Sequence, residues 1–277
     1  MSTSAPNPPR ASTWQAALRY LRDLWSRREF VWYMAMGNVK ARNASTTLGL
    51  LWWVLNPLLL GAIYFFVFGV LLGIARDLGH LLSGMFVFYF TSASLTGGAN
   101  SIISNSRLLA NLSFPRLAMP VVAVTEAAIG FLVSIPVLYL IIGPTSGTWP
   151  GIEILWLFPI IFIVQTIFNL GLASLSARLA VPFRDINNLL PYVNRLWLYV
   201  SPIIYTAAFV EERAPAPWDR LYNLNPMVPL LSVYRSALLG SPFDMTMLLM
   251  AGLWAIGVGS IAIVMFVKYE GRMARYL

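Results

Sequence analysis

Few residues in this sequence are placed to do chemistry. Glu126 is its only acid deep within an apolar run and Arg195 its only central base, and each lies about 14 to 15 Å from the polar end of its run at 1.5 Å per helical residue. Matched depth suggests an ion pair between Glu126 and Arg195, within one chain or across two copies. Such a pair is either a structural neutralisation of two costly charges or a proton relay. There is no cysteine and His80 is the single histidine, so thiolate catalysis, disulfides and a histidine-cluster metal site are excluded. The G-x-x-x-x-G-K-[ST] phosphate loop, the G-x-S-x-G elbow and H-E-x-x-H are missing, as are carboxylates paired at helical spacing. The sequence therefore predicts no catalytic residue, no metal and no cofactor of its own. Uphill work would need an ion gradient or a separate ATPase.

Polar and aromatic side chains also fall into stripes. At 100° per residue Asn188, Tyr192, Arg195, Tyr199 and Thr206 lie within about 60° of one another, and Leu189, Leu196 and Trp197 project elsewhere. Ser45, Gly49, Trp52 and Asn56 make a similar face that ends at Pro57. Lipid supplies such faces with no hydrogen-bond partner, so they are expected to meet protein or water: two walls of one pathway, or polar glue between helices.

The elements that carry these residues are membrane spans. Of 277 residues 58% are hydrophobic and 11% charged, with a mean hydropathy of +0.70. That balance belongs to an integral membrane protein. Spanning takes about 20 apolar residues, and six runs qualify: Leu48–Ile74, Leu81–Ile103, Leu117–Ile142, Ile154–Ala180, Ile186–Phe209 and Met245–Val267. The expected fold is an all-α integral membrane protein of six transmembrane helices forming one domain over 48–277, preceded by a cytoplasmic segment, 1–47. Fourteen Lys and Arg fall on the side of the two termini. Only Arg76, Arg213, Arg220 and Arg235 fall on the other, which places both termini in the cytoplasm of a bacterial inner membrane. A net charge of +8 would suggest nucleic acid in a soluble protein; here it reports topology, and no nucleic-acid partner is expected.

Between the spans three segments stand out. Residues 13–27 pattern as an amphipathic helix with Trp14, Leu18, Leu21 and Trp25 on one face, suited to the inner membrane surface or to a partner protein. Residues 104–115 allow a short cytoplasmic helix showing Leu108, Leu109 and Leu112 before Pro115, an apolar edge able to fit a partner's groove or to pack on its own bundle. The loop 211–244 crosses Pro215 and Pro217 and then yields an apolar helix of some 13 residues behind Asn225-Pro226. Too short to span, it re-enters the outer face as a hairpin or lies along the interface.

Four motifs in order resemble the membrane subunit of type-2 ABC exporters, specifically the Wzm-like permeases for lipid-linked polysaccharide. They are Lys40-x-Arg42 followed by "TTLGLLWWVLNPLL", then "NLSFPRLAMP", "VPFRDINNLLPYVNRLWLYVSPIIY" and "NLNPMVPLLSVYRSALL", together covering Lys40 to Leu239. Within the family the wording and the arginine excess lie nearest the actinobacterial branch that exports cell-wall galactan. The chain departs from the family at Gly37-Asn38, where Arg-Asp is common, and at Asn43, where Tyr is common.

The resemblance implies a homodimer bound to two copies of a separate nucleotide-binding subunit, which holds the ATP and Mg²⁺. It implies a coupling helix at 104–115 that meets that subunit through Arg107, Leu108, Leu109, Leu112, Phe114 and Arg116. It further implies a polymer carried on polyprenyl diphosphate, with Lys40, Arg42 and Arg184 as cytoplasmic headgroup contacts. Sugars stack their CH faces on aromatic rings, and many modest contacts permit sliding. Trp52, Asn56, Asn188, Tyr192, Arg195 and Tyr199 are the candidate pathway, and Trp218, Tyr222 and Tyr234 the candidate outer gate. Aromatic anchoring at the membrane surface is the other reading of these rings. Alternatives in function are a type-2 permease for a drug or lipid and, less well supported, a membrane enzyme on polyprenyl-linked sugars, which would require surface clusters of Asp, Glu or His.

Overall fold

The computed structural model describes residues 13–44, 46–74, 77–111, 115–146, 151–152, 154–206, 209–210, 212 and 222–273. Among them the chain forms α1 (Thr13–Ser26), α2 (Arg28–Ala44), α3 (Leu51–Tyr64, continued with π geometry over Phe65–Leu71), α4 (Leu78–Ser104) and α5 (Ser106–Asn111). There follow α6 (Ala118–Ser146), α7 (Ile154–Ala180), α8 (Ile186–Val200), α9 (Met227–Leu239) and α10 (Met245–Met273). Among the described residues five helices are long and apolar enough to cross a membrane: Leu51–Leu71, Leu78–Ser104, Ala118–Pro144, Ile154–Ala180 and Met245–Lys268.

The central helix is α4, buried along most of its length between α6 and α7. Asp77 caps its start, its carboxylate accepting from the His80 backbone N–H at 3.1 Å. Small residues set the approach of the helices, as expected where lipid gives no hydrophobic drive to association. A Cβ on Gly98 would stand 2.5 Å from the Ala173 Cα, and one on Gly171 would stand 2.8 Å from the Gly259 backbone nitrogen. The core between α4, α6, α7 and α9 is aromatic. Phe90 and Phe131 stack with centroids 5.1 Å apart, Phe158 and Phe162 extend the stack, and Tyr234 meets Phe131 edge-on at 5.8 Å.

The fifth expected span, Ile186–Phe209, is not one continuous helix. The helix ends at Val200, because Pro202 disfavours helical geometry at Ser201, which is extended (ψ 151°). Fifteen residues reach about 22 Å, short of a hydrocarbon core of about 30 Å. The apolar helix behind Asn225-Pro226 forms as α9 and closes on Gly240 at φ +65°, the left-handed geometry that suits glycine after a helix. Met227 to Leu238 are buried on nearly every side, against α4, α7 and α10. An interfacial helix would keep one face open. Glu211, Arg213, Pro215, Pro217 and Trp218, assigned to the other leg of that loop, lie outside the described residues.

At the amino-terminal end α1 turns Tyr20 and Leu24 to the protein and leaves Leu18, Leu21 and Trp25 exposed; the Trp14 side chain lies outside the described residues. The outward apolar face suits the membrane surface. Helix α2 is an addition to the expected elements. Its Val31, Ala35 and Val39, spaced by four, are buried, and it packs on α6.

Candidate functional site

A cavity of about 720 Å³ opens between α3, α4 and α6, with the last turns of α2 at its mouth. Its aromatic surface comes from Trp52, Trp53, Phe86, Tyr89, Phe90 and Phe131. One wall is a polar stripe on α4, Ser92, Thr96, Asn100 and Ser104, recurring every fourth residue so that all four share a helix face. Asn100 donates to the Thr96 carbonyl at 3.2 Å and Ser104 to the Asn100 carbonyl at 2.8 Å, so two members tie back to their own helix. Asn56 of α3 donates to the Tyr89 hydroxyl across the cavity at 3.4 Å.

The charged groups of the lining are Arg42 and Glu126. Arg42 Nη2 lies 3.0 Å from Glu126 Oε2, and Asn38 Nδ2 donates to Glu126 Oε1 at 2.6 Å. The Arg42 guanidinium also stands over the Trp53 ring, 5.5 Å from its centroid. The same ring lies so close on Gly130, one turn beyond Glu126, that no Cβ would fit there. Glu126 is thus not joined to Arg195 within the protomer. Depth alone cannot say which helices are neighbours, and α2, from the amino-terminal segment, packs alongside α6 to supply the partner. Arg195 is exposed on α8, within electrostatic range of Tyr64.

The other expected pathway residues divide. Trp52 and Asn56 line the cavity. Asn188, Tyr192, Arg195 and Tyr199 share the exposed side of α8, outside it. α8 is nevertheless tied to the cavity wall: its buried Asn194 donates to Thr96 Oγ1 at 3.2 Å. Tyr199 reaches α3, its hydroxyl 3.4 Å from that of Tyr64. Lys40 and Arg184 are exposed and do not line the cavity. The α4 stripe and Asn38 were not anticipated; a four-residue recurrence of hydroxyl and amide side chains inside an apolar run is the signal that would have found the stripe.

Two further expectations are corrected. α5 forms inside the interval 104–115, but Leu109 is 8% exposed and packs with Val31, Ala35 and Leu117, with Leu108 against the same cluster. The apolar edge faces the chain's own bundle because α2 supplies a covering surface. Arg107 is exposed and Arg116 half-buried, while Leu112 and Phe114 lie outside the described residues. Tyr234, expected at the outer gate, is 0% exposed within the aromatic core. Tyr222 is buried beside Tyr205, 6.4 Å between centroids. Arg235, counted above among outer-loop charges, is buried too. Its Nη2 donates to the carbonyls of Pro202 at 2.6 Å and His80 at 3.2 Å, tying α9 to the end of α8 and the start of α4.

The ABC-2 type transporter family matches residues 29–239. Over 221 residues the chain is 29% identical to the O-antigen export system permease protein RfbA of Myxococcus xanthus, covering 79% of this chain and 84% of that one. Over 242 residues it is 26% identical to a protein of the same description from Klebsiella pneumoniae, covering 87% and 92%. A second Klebsiella pneumoniae protein so described is 29% identical over 200 residues, covering 72% and 75%.

Proposed function

The chain belongs to the ABC-2 type transporter family, and from that premise we propose that it is the permease of an ATP-driven exporter of polyprenyl-diphosphate-linked polysaccharide. Relatives named for O-antigen export support a polysaccharide cargo. The arginine excess and motif wording favour the galactan type. The observation that carries the reading is the cavity, a polar and aromatic surface inside an otherwise apolar bundle. Aromatic faces take the CH faces of sugars, hydroxyl and amide groups take their oxygens, and neither holds a sugar tightly enough to stop it.

On this reading a homodimer binds two nucleotide-binding subunits, and ATP and Mg²⁺ reside on them. Both termini face the cytoplasm, α1 of the 1–47 segment lies along the inner surface, and α8 with the turns to Thr206 serves as the fifth of six crossings of 48–277. The segment 211–244 forms the outer gate. Lys40, Arg42 and Arg184 meet the diphosphate, Trp52 and Asn56 begin the pathway, and Asn188, Tyr192, Arg195 and Tyr199 continue it. Coupling to the ATPase runs through Arg107, Arg116, Leu112 and Phe114.

Depletion of the protein should leave lipid-linked glycans of full length on the cytoplasmic side, identified by mass after extraction. Normal export of every such glycan after depletion would overturn the proposal. Accumulation of a lipid without sugar would favour the lipid-exporter alternative.

A further inference from the structure

The cavity's charged lining is a single base and a single acid, and each already holds the other. Glu126 is also the only acid within the five spanning helices. Its side chain is 15% exposed, whereas that of Arg42 is 61% exposed. The acid is fixed from behind by Asn38 at 2.6 Å, and the base rests on a Trp53 ring that Gly130 lets lie flat against α6. The acid is thus the more enclosed member, while the base is the more exposed one and lines the cavity.

We propose that Glu126 is an internal stand-in for the anionic headgroup: it holds Arg42 until a lipid-linked diphosphate arrives, and the diphosphate then takes Arg42 from it. This rests on the reading of Arg42 as a headgroup contact. Arg42 passes from one anion to another, so the exchange never leaves the guanidinium as an isolated charge. A diphosphate carries more negative charge than a carboxylate and matches the planar guanidinium fork in two bonds. Glu126 keeps its bond from Asn38 when Arg42 leaves. Helix α2 loses one tie to α6, and since Val31 and Ala35 of α2 share an apolar cluster with Leu109 of α5, the change reaches the helix between the second and third spans. Occupancy at the cavity mouth is in this way reported to the loop that faces the ATPase.

The test is a titration of the purified chain in phosphatidylcholine nanodiscs with farnesyl diphosphate and, separately, inorganic pyrophosphate. A stand-in that holds Arg42 about nine-tenths of the time lowers apparent affinity about tenfold. Glu126→Gln should therefore tighten farnesyl diphosphate binding about tenfold, and Asn38→Ala, which only loosens the acid, by roughly twofold. Arg42→Gln should weaken binding by at least about tenfold. Amide exchange over residues 31–43 should quicken both on ligand binding and in Glu126→Gln. Unchanged or weaker binding in Glu126→Gln, with Arg42→Gln impaired, would overturn the stand-in role and leave the headgroup reading intact. Unaltered binding in Arg42→Gln would overturn the headgroup reading itself. Pyrophosphate binding as tightly as farnesyl diphosphate would overturn a lipid source. If Glu126→Gln does not fold, Asn38→Ala decides: no tightening there refutes the proposal.

Discussion

The Asn225 side-chain carbonyl accepts from the Trp197 indole N–H at 2.9 Å and from the Met227 backbone N–H at 3.0 Å, while its amide donates to Ser201 Oγ at 3.0 Å. One buried carboxamide therefore joins the body of α8, its broken end and the start of α9. Asn225→Leu keeps the branched shape but orphans the half-buried indole and the buried backbone donor, at a cost of about 1 to 3 kcal/mol for a fully buried group. A lower melting temperature in detergent is expected, with Trp197→Phe milder because it removes its donor along with the bond. An unshifted melting temperature in Asn225→Leu would show that water replaces these bonds.

Helix spacing at the centre of the bundle gives a second expectation. Gly98→Ala sets a Cβ about 2.5 Å from Ala173 backbone, where no flexible side chain can yield, so α4 and α7 must separate. Overpacking of this kind costs about 1 to 3 kcal/mol. Gly252→Ala, with nothing within 4 Å of the added carbon, is the matched control and should be neutral. Equal yields of monodisperse protein from both variants would contradict the packing described.

Docking to an ATPase separates two neighbouring residues. Leu109→Asp buries an unpaired charge among Val31, Ala35 and Leu117 and should lower the yield of folded permease. Arg107→Glu, on an exposed side chain, should leave yield unchanged and reduce co-purification of the nucleotide-binding subunit. Loss of the partner from a fully folded Leu109→Asp would restore an outward-facing apolar edge.

Single cysteines from Asn188 to Thr206, in a chain that has none, test the exposed face of α8. A water-soluble thiol reagent should label positions 192, 195 and 199 and spare the buried 190, 194 and 198. The helical period should stop at Val200, where the helix does. Leu189 and Leu196 are also exposed in the single protomer, so silence there would place them against lipid or a second copy. Labelling without period would remove α8 from the pathway.

What the sequence made legible follows from run length and periodicity. Ile154–Ala180 forms as read, because 27 residues without a charge until Arg178 admit one solution in a bilayer. The 13-residue apolar helix behind Asn225-Pro226 was equally visible through its breakers. Helix α2 was not, since its apolar run, 30–36, is far too short to span a bilayer and its charged residues at both ends mask its one buried face. The partner of Glu126 was hidden for a related reason. A search confined to spans cannot see that Arg42, 84 residues upstream, is brought to it by a helix outside every apolar run of spanning length. The cavity wall on α4 was missed because serine and threonine barely lower hydropathy, and their significance lies in sharing one face.

The packing of α2 also bears on how the chain is assembled. Its buried face is completed by α6, and its polar ties to that helix end on a residue made more than eighty positions later. During synthesis the amino-terminal segment must therefore wait at the membrane surface while α3 and α4 insert. Its docking becomes possible only once the third long helix is in place. Truncated chains that stop before Ala118 should accordingly leave α2 open to protease, whereas chains continued beyond Gly130 should protect it.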